Sequence, residues 1–201
     1  MSIPQRGRKR PYQLRARADA QALTRRRIAE AAVELHGTVG PARTTIRAIA
    51  ERAGVERVTV YRHFPDERAL FTACSGRFYE DHPPPDVARP MAIADPVLRL
   101  EAALLELYRY YRVAEPIATA VLRDAASVPL VREYLDPYLT MLDQARDALA
   151  TGWPDSRDAR LLRATIGHVL AFTTWRSLTL EQGLSDAEAA SVMTAFVRSG
   201  S

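Results

Sequence analysis

The stretch from Ala50 to Phe64, AERAGVERVTVYRHF, constrains the fold more than any other part of the chain. Val58, Thr59, Val60 and Tyr61 are residues that strands favour, but their setting opposes that preference. Ala50, Gly54 four residues on, Val55 directly after it and Val60 six past the glycine form the pattern of two short helices crossing around a tight turn. The alanine lets the second helix approach, the glycine takes a positive φ, and the two valines plug the angle between the helices. A strand here would lack a partner, because no segment within reach reads as one and an isolated strand leaves its backbone unsatisfied. The spacing therefore predicts a helix from Glu56 to about His63, with Phe64 packed inward.

Upstream, Ile28, Ala31, Ala32 and Leu35 recur at three- and four-residue steps, which predicts an amphipathic helix from about Asp19 to His36. Gly37 and Gly40 end it. Thr44 or Thr45 then caps a second helix, with Ile46, Ile49, Ala50 and Ala53 on one side and Gly54 as a left-handed stop. Barely three turns long, it has to bury its apolar stripe against neighbours. Residues 1–18 place Pro4, Gly7 and Pro11 among basic side chains without an apolar period. They predict a flexible basic arm, either a solvated tail or a set of arginines reaching an adjacent minor groove.

Charge is distributed unevenly. Residues 1–63 carry fourteen Lys/Arg against five Asp/Glu, whereas residues 64–201 carry fourteen against nineteen. Lys9 is the sole lysine, and guanidinium groups suit flat contacts to phosphate and to guanine edges. The asymmetry implies a polyanionic partner for the N-terminal end. On the helix after the turn, Arg57 and Arg62 point to major-groove contact and His63, beside Tyr61, to a phosphate. No apolar run is long enough to span a bilayer and the first twenty residues lack a secretory apolar segment, so a cytoplasmic protein without a membrane partner is expected. The single cysteine, Cys74, and four scattered histidines imply no disulfide and no metal site. Phosphate loops, nucleophile elbows and other catalytic signatures are missing, so neither an enzyme nor a cofactor is expected.

Beyond His82 the proline-rich PPPDVARP marks a break, and helical periods follow without strand signals. Helices are predicted near Asp95–Val113, Pro116–Ala125, Pro129–Thr151, Ser156–Leu180 and Ser185–Ser199. Tyr108, Tyr111, Tyr134, Tyr138, Met141, His168, Phe172 and Trp175 are candidates for an apolar ligand pocket, although aromatic and methionine side chains at helical spacing are also what a core requires. Arg123, His168 and Arg176 are the candidate polar contacts to a ligand, with surface ion pairs the alternative for the arginines. Ala164, Ile166, Ala171 and Thr174 on one helix and Ala190, Met193 and Val197 on the last give these helices apolar residues on more than one side. That pattern predicts a four-helix homodimer interface built from the last two helices.

The text TTIRAIAERAGVERVTVYRHFPDERALF, Thr44 to Phe71, preceded by RRRIAEAAVELHGTVG, Arg25 to Gly40, resembles the N-terminal domain of the Tet-repressor (TetR) family of bacterial transcriptional regulators. The resemblance implies an all-α chain: a three-helix helix-turn-helix DNA-binding domain (19–64), a connecting helix (65–82), and a helical ligand-binding and dimerisation domain (83–201). It implies phosphate contacts from Thr44 and Thr45, base-edge contacts from Arg57, Val58 and Arg62, and backbone contacts from Thr59, Tyr61 and His63. Many members carry serine where Glu56 stands, and a phosphate-binding lysine is usual at Glu67, a role an acid cannot fill. The expected function is a ligand-responsive regulator, a repressor in the first instance, which binds a palindromic double-stranded operator as a homodimer and is released by a small-molecule effector. A non-specific architectural DNA-binding protein is the alternative.

Overall fold

The computed structural model describes residues 9–86, 88–154 and 158–199, with side chains from residue 13 onward. Every regular element among them is helical. The chain divides into two compact units, Met1–Asp81 and His82–Ser201.

The first unit holds α1 (Lys9–Thr38), α2 (Ile46–Ala53), α3 (Arg57–His63) and α4 (Glu67–Asp81). Thr45 caps α2 by accepting the Ala48 N–H (3.1 Å). At its other end Gly54 takes φ 65° while Val55 N–H closes back on the Ala50 carbonyl at 3.0 Å. Glycine is required here twice over: the φ is left-handed, and a Cβ would lie 3.0 Å from an Arg27 Nη2 that itself bonds the Ala53 carbonyl. Ile28, Ala32, Ile49, Ala50, Val60 and Phe64 interlock beneath the turn. Val60 has no exposed surface, so packing overrides the strand preference of the VTVY run.

The basic N-terminal segment departs from expectation. Residues 9–18 continue α1 as helix, where an irregular arm was expected; residues 1–8 of that arm lie outside the described residues. Pro11 sits in the first turn, where its missing N–H removes no helical bond. The following Gln, Leu, Arg and Ala residues are strong helix formers. A rod of this kind, about 10 Å across, does not enter a minor groove about 6 Å wide, so residues 9–18 cannot serve as a minor-groove arm in this form.

The second unit contains α5 (Pro96–Asp124), α6 (Pro129–Leu149), α7 (Ala159–Leu170), α8 (Phe172–Arg176), a π-helical turn over Ser177–Glu181, and α9 (Asp186–Ser199). Asp95 and Asp158 cap α5 and α7. Two expected boundaries are corrected. Pro116, taken as a break, lies inside the continuous α5 on its exposed side, where water can satisfy the carbonyl it releases; buried Tyr111, Ala114 and Ala120 hold the helix on either side. The reverse holds for the helix expected over Ser156–Leu180, whose start at Ser156 lies outside the described residues. It is interrupted at Ala171, which is extended (φ −69°, ψ 136°). Three of the carbonyls there are taken by side chains: Tyr108 Oη donates to Val169 O and Tyr111 Oη to Leu170 O, each at 2.7 Å, and Thr174 Oγ1 donates to His168 O at 2.7 Å.

Candidate nucleic-acid interface

Burying Val60 fixes the rotation of α3, and that rotation decides what faces outward. Arg57, Val58, Tyr61 and Arg62 are exposed together, as spacings of one, four and five residues dictate on a helix. Val58 is 72% exposed, an unusual position for a β-branched apolar side chain on an isolated surface. Thr59 and His63 are half-buried at its edges.

The ion pairs of this unit sharpen the contrast. Arg26 meets Glu30, Arg47 meets Glu51, Arg52 meets Glu34, and Arg77 meets Glu80 and Asp81. Among the described residues, Arg57 and Arg62 meet no carboxylate. Those four guanidinium charges are neutralised within the fold; those on α3 are presented to solvent.

The C-terminal end of α3 is fastened by a residue that sequence reasoning counted only as part of a basic run. Arg25 donates to the His63 carbonyl at 2.5 Å and lies over the Phe64 ring, 4.2 Å from its centroid. Its helical phase was the available signal: Arg25, Ile28 and Ala32 stand at i, i+3 and i+7, so Arg25 faces the core side of α1. His63 titrates below the ordinary histidine range because burial disfavours the cation and Arg62 and Arg25 repel it.

The threonines separate. Thr44 Oγ1 donates to the Gly40 carbonyl at 2.8 Å, which commits its proton inside the fold. Thr45 is exposed and uses its oxygen as an acceptor in the cap, leaving its hydroxyl proton for an outside acceptor. At α4 the first turn is acidic: Asp66 accepts the Ala69 N–H at 2.7 Å and Glu67 follows, which favours the helix dipole but offers no phosphate contact. Cys74 is buried and its thiol is pushed up to about 12 by burial, which makes it a poor nucleophile.

In the second unit the expected pocket residues do not form one set. Tyr108, Tyr111, Phe172 and Trp175 do come together, but as a packed core: Phe172 stands edge-on to Tyr111 at 5.3 Å, and Trp175 lies 5.8 Å from Tyr111. Both tyrosine hydroxyls serve the Ala171 break, and burial raises their pKa values, so they remain donors. Tyr138 packs on the edge of this cluster. Met141 lies apart, in a cleft of about 30 Å³ bounded by Leu107, Leu142, Leu149, Leu170, Pro85, Asp86 and Pro90. Ligand pockets are commonly about 300–1,000 Å³, so this cleft has to open to hold one. Arg123 pairs with Asp124 at 2.7 Å and Arg176 with Glu181 at 3.0 Å. His168 is exposed, against the Phe196 ring at 6.4 Å, on the side of α7 away from the tyrosines. Among the described residues no group of His, Cys, Asp or Glu could hold a metal ion, and no helix is long and apolar enough to cross a membrane.

The dimer stripe expected from sequence also shifts. Ile166, Thr174, Ala190 and Val197 are buried in the unit's own core and are not available to a partner. The apolar side chains left exposed on α7 and α9 are Leu161 (49%), Val192 (47%) and Phe196 (47%), with Ala164 beside them.

Residues 28–74 match the sequence profile described as "Bacterial regulatory proteins, tetR family". Comparison with curated proteins gives no match. Among solved structures, the fold is similar to a TetR-like transcriptional regulator from Rhodococcus sp. RHA1 (TM-score 0.63, 18% identity, 89% of this chain and 96% of that one). It is also similar to the fatty acid degradation regulator FadR from Bacillus halodurans (TM-score 0.60, 17% identity, 88% and 95%). A third is the transcriptional regulator FadR from Bacillus subtilis, solved in complex with stearoyl-CoA (TM-score 0.59, 21% identity, 87% and 98%). The family and these neighbours are transcriptional regulators, not enzymes.

Proposed function

We propose that the chain is a homodimeric repressor of the tetR family, whose profile residues 28–74 match, that binds a palindromic operator through α3 and is released by a small-molecule effector. The observation that carries this reading is the pair of unneutralised guanidiniums, Arg57 and Arg62, flanking an exposed Val58 on one buried-Val60 helix. Guanidiniums in that arrangement suit guanine edges, and an outward valine suits a thymine methyl. Tyr61, Thr59, His63 and the Thr45 hydroxyl then hold phosphates and set register. Two copies related by a twofold axis read two half-sites, whose spacing equals that of the two recognition helices.

Dimerisation is assigned to Leu161, Ala164, Val192 and Phe196, with His168 at their edge. For the effector, the Met141 cleft supplies an apolar lining, and a ligand with an aliphatic part fits that chemistry, as stearoyl-CoA does for the Bacillus subtilis protein. Such a ligand acts only through its differential affinity for DNA-competent and DNA-incompetent states.

Selection of duplexes from a random pool, followed by competition against random DNA at moderate salt, tests the proposal. Enrichment of an inverted repeat bound by a dimer is expected. Equal retention of every sequence would replace the repressor with an architectural protein.

A further inference from the structure

The first half of α1 is left unexplained by the packing of its unit. From Gln13 to Leu23 every side chain is exposed, and burial begins only at Ile28. A segment that buries nothing needs another reason to be helical and basic. Between Lys9 and Arg27 there are seven Lys/Arg against one acid, Asp19, and Arg15 and Arg17 meet no carboxylate among the described residues. The whole helix of thirty residues is about 45 Å long at 1.5 Å per residue, so the exposed half reaches well beyond the three-helix core.

Helical phase gives this rod a direction. At 100° per residue, Arg15 and Arg17 stand about 80° to either side of the direction of Arg25 and Gln21 about 40° from it, so the four form one broad stripe; all carry N–H donors. The stripe ends at Arg25, which grips the carbonyl of His63, the last residue of α3. The extension thus departs from the side of α1 that faces the recognition helix, next to that helix's C-terminal end. A helix seated in the major groove has a phosphate strand at each rim. We infer that Arg15, Arg17 and Gln21 form a helical rail on the DNA backbone beside the half-site, adding sequence-independent affinity outside the bases that α3 reads. The inference rests on the proposed DNA-binding function and adds a second contact surface to it. Four turns without packing are only marginally stable in water, so phosphate contact also stabilises the rail's helix.

Three variants of the full chain test it, with a random-sequence duplex of about 30 bp as probe and binding followed across salt. Arg17→Ala is expected to reduce the log-log salt slope by about one unit, the value for one lost phosphate contact. Arg15→Ala, on the other flank of the same stripe, should reduce it by a similar amount. Ala18→Pro preserves every charge but breaks the helix, and should weaken binding several-fold while circular dichroism reports lost helix. Parent-like binding by both Arg17→Ala and Ala18→Pro overturns the rail. So does parent-like binding by Ala18→Pro alongside slope losses from both arginine variants, which describes a loose cationic tail. A rail that leaves DNA binding unchanged yet is needed for adsorption to phosphatidylserine vesicles would belong to a membrane surface instead, and that result also overturns the inference. If the parent chain ignores duplex DNA altogether, the reading of α3 itself fails, an outcome distinct from all of these.

Discussion

The α3 surface and the Ala171 break handle polar groups in opposite ways. At the break, the His168, Val169 and Leu170 carbonyls are satisfied inside the protein, by Thr174, Tyr108 and Tyr111. On α3, Arg57 and Arg62 have no carboxylate among the described residues and Val58 is 72% exposed. Buried polar groups without partners cost free energy, so the first arrangement is what stability alone demands. The second adds nothing to stability, and it gains a role under the proposed DNA-binding function. The difference separates residues that hold the structure from residues that the proposal assigns to another molecule.

That comparison breaks if substitutions at the two places have the same consequences. The largest effect is expected from Trp175→Ala, which removes a side chain with no exposed surface and its bond to Asp186. A loss of about 3–5 kcal/mol should appear in chemical denaturation. Tyr111→Phe keeps the ring but leaves the Leu170 carbonyl unsatisfied, for a stability loss of about 1–3 kcal/mol; unchanged stability would mean that water fills the gap.

Arg57→Ala should invert the pattern. Thermal stability stays within about 0.5 kcal/mol of the parent, while affinity for the selected operator falls by about 1–3 kcal/mol and that for random DNA falls less. Equal losses on both duplexes would remove Arg57 from base readout. The smallest effect concerns His63. Its folded pKa lies below the unfolded value, so the unfolded chain binds more protons and the stability His63 contributes falls as pH drops through about 6.5. Phosphate nearby favours the cation instead. DNA binding should therefore take up a proton and strengthen from pH 8 to pH 6, and His63→Gln should flatten that dependence in a binding titration.

The α2 to α3 corner was legible because every residue in it has a local cause: Ala50, Gly54, Val55 and Val60 each answer to one geometric demand. What was hidden depends on distant partners. The break at Ala171 is stabilised by hydroxyls about sixty residues earlier in the chain, and nothing in LAFTTW signals it. Pro11 and Pro116 were read as punctuation, but the first lies where no helical bond is lost and the second on a solvated side between buried anchors. The candidate site split along the same line. Residues of α3 could be placed on an outward surface from the corner alone, whereas Tyr108 and Tyr111 looked the same as ligand contacts or as core until their hydroxyl partners were seen. Arg25 was missed because its role requires knowing where His63 and Phe64 end up.

The interleaving of Val60 with Arg57, Val58 and Arg62 has an evolutionary consequence. One position in the short helix secures its seat, and the others are free of that duty. Under the proposed reading of α3, point changes at 57, 58 or 62 retarget a descendant to new promoters without first rebuilding the scaffold, so paralogues can diverge in the genes they govern while their architecture stays the same.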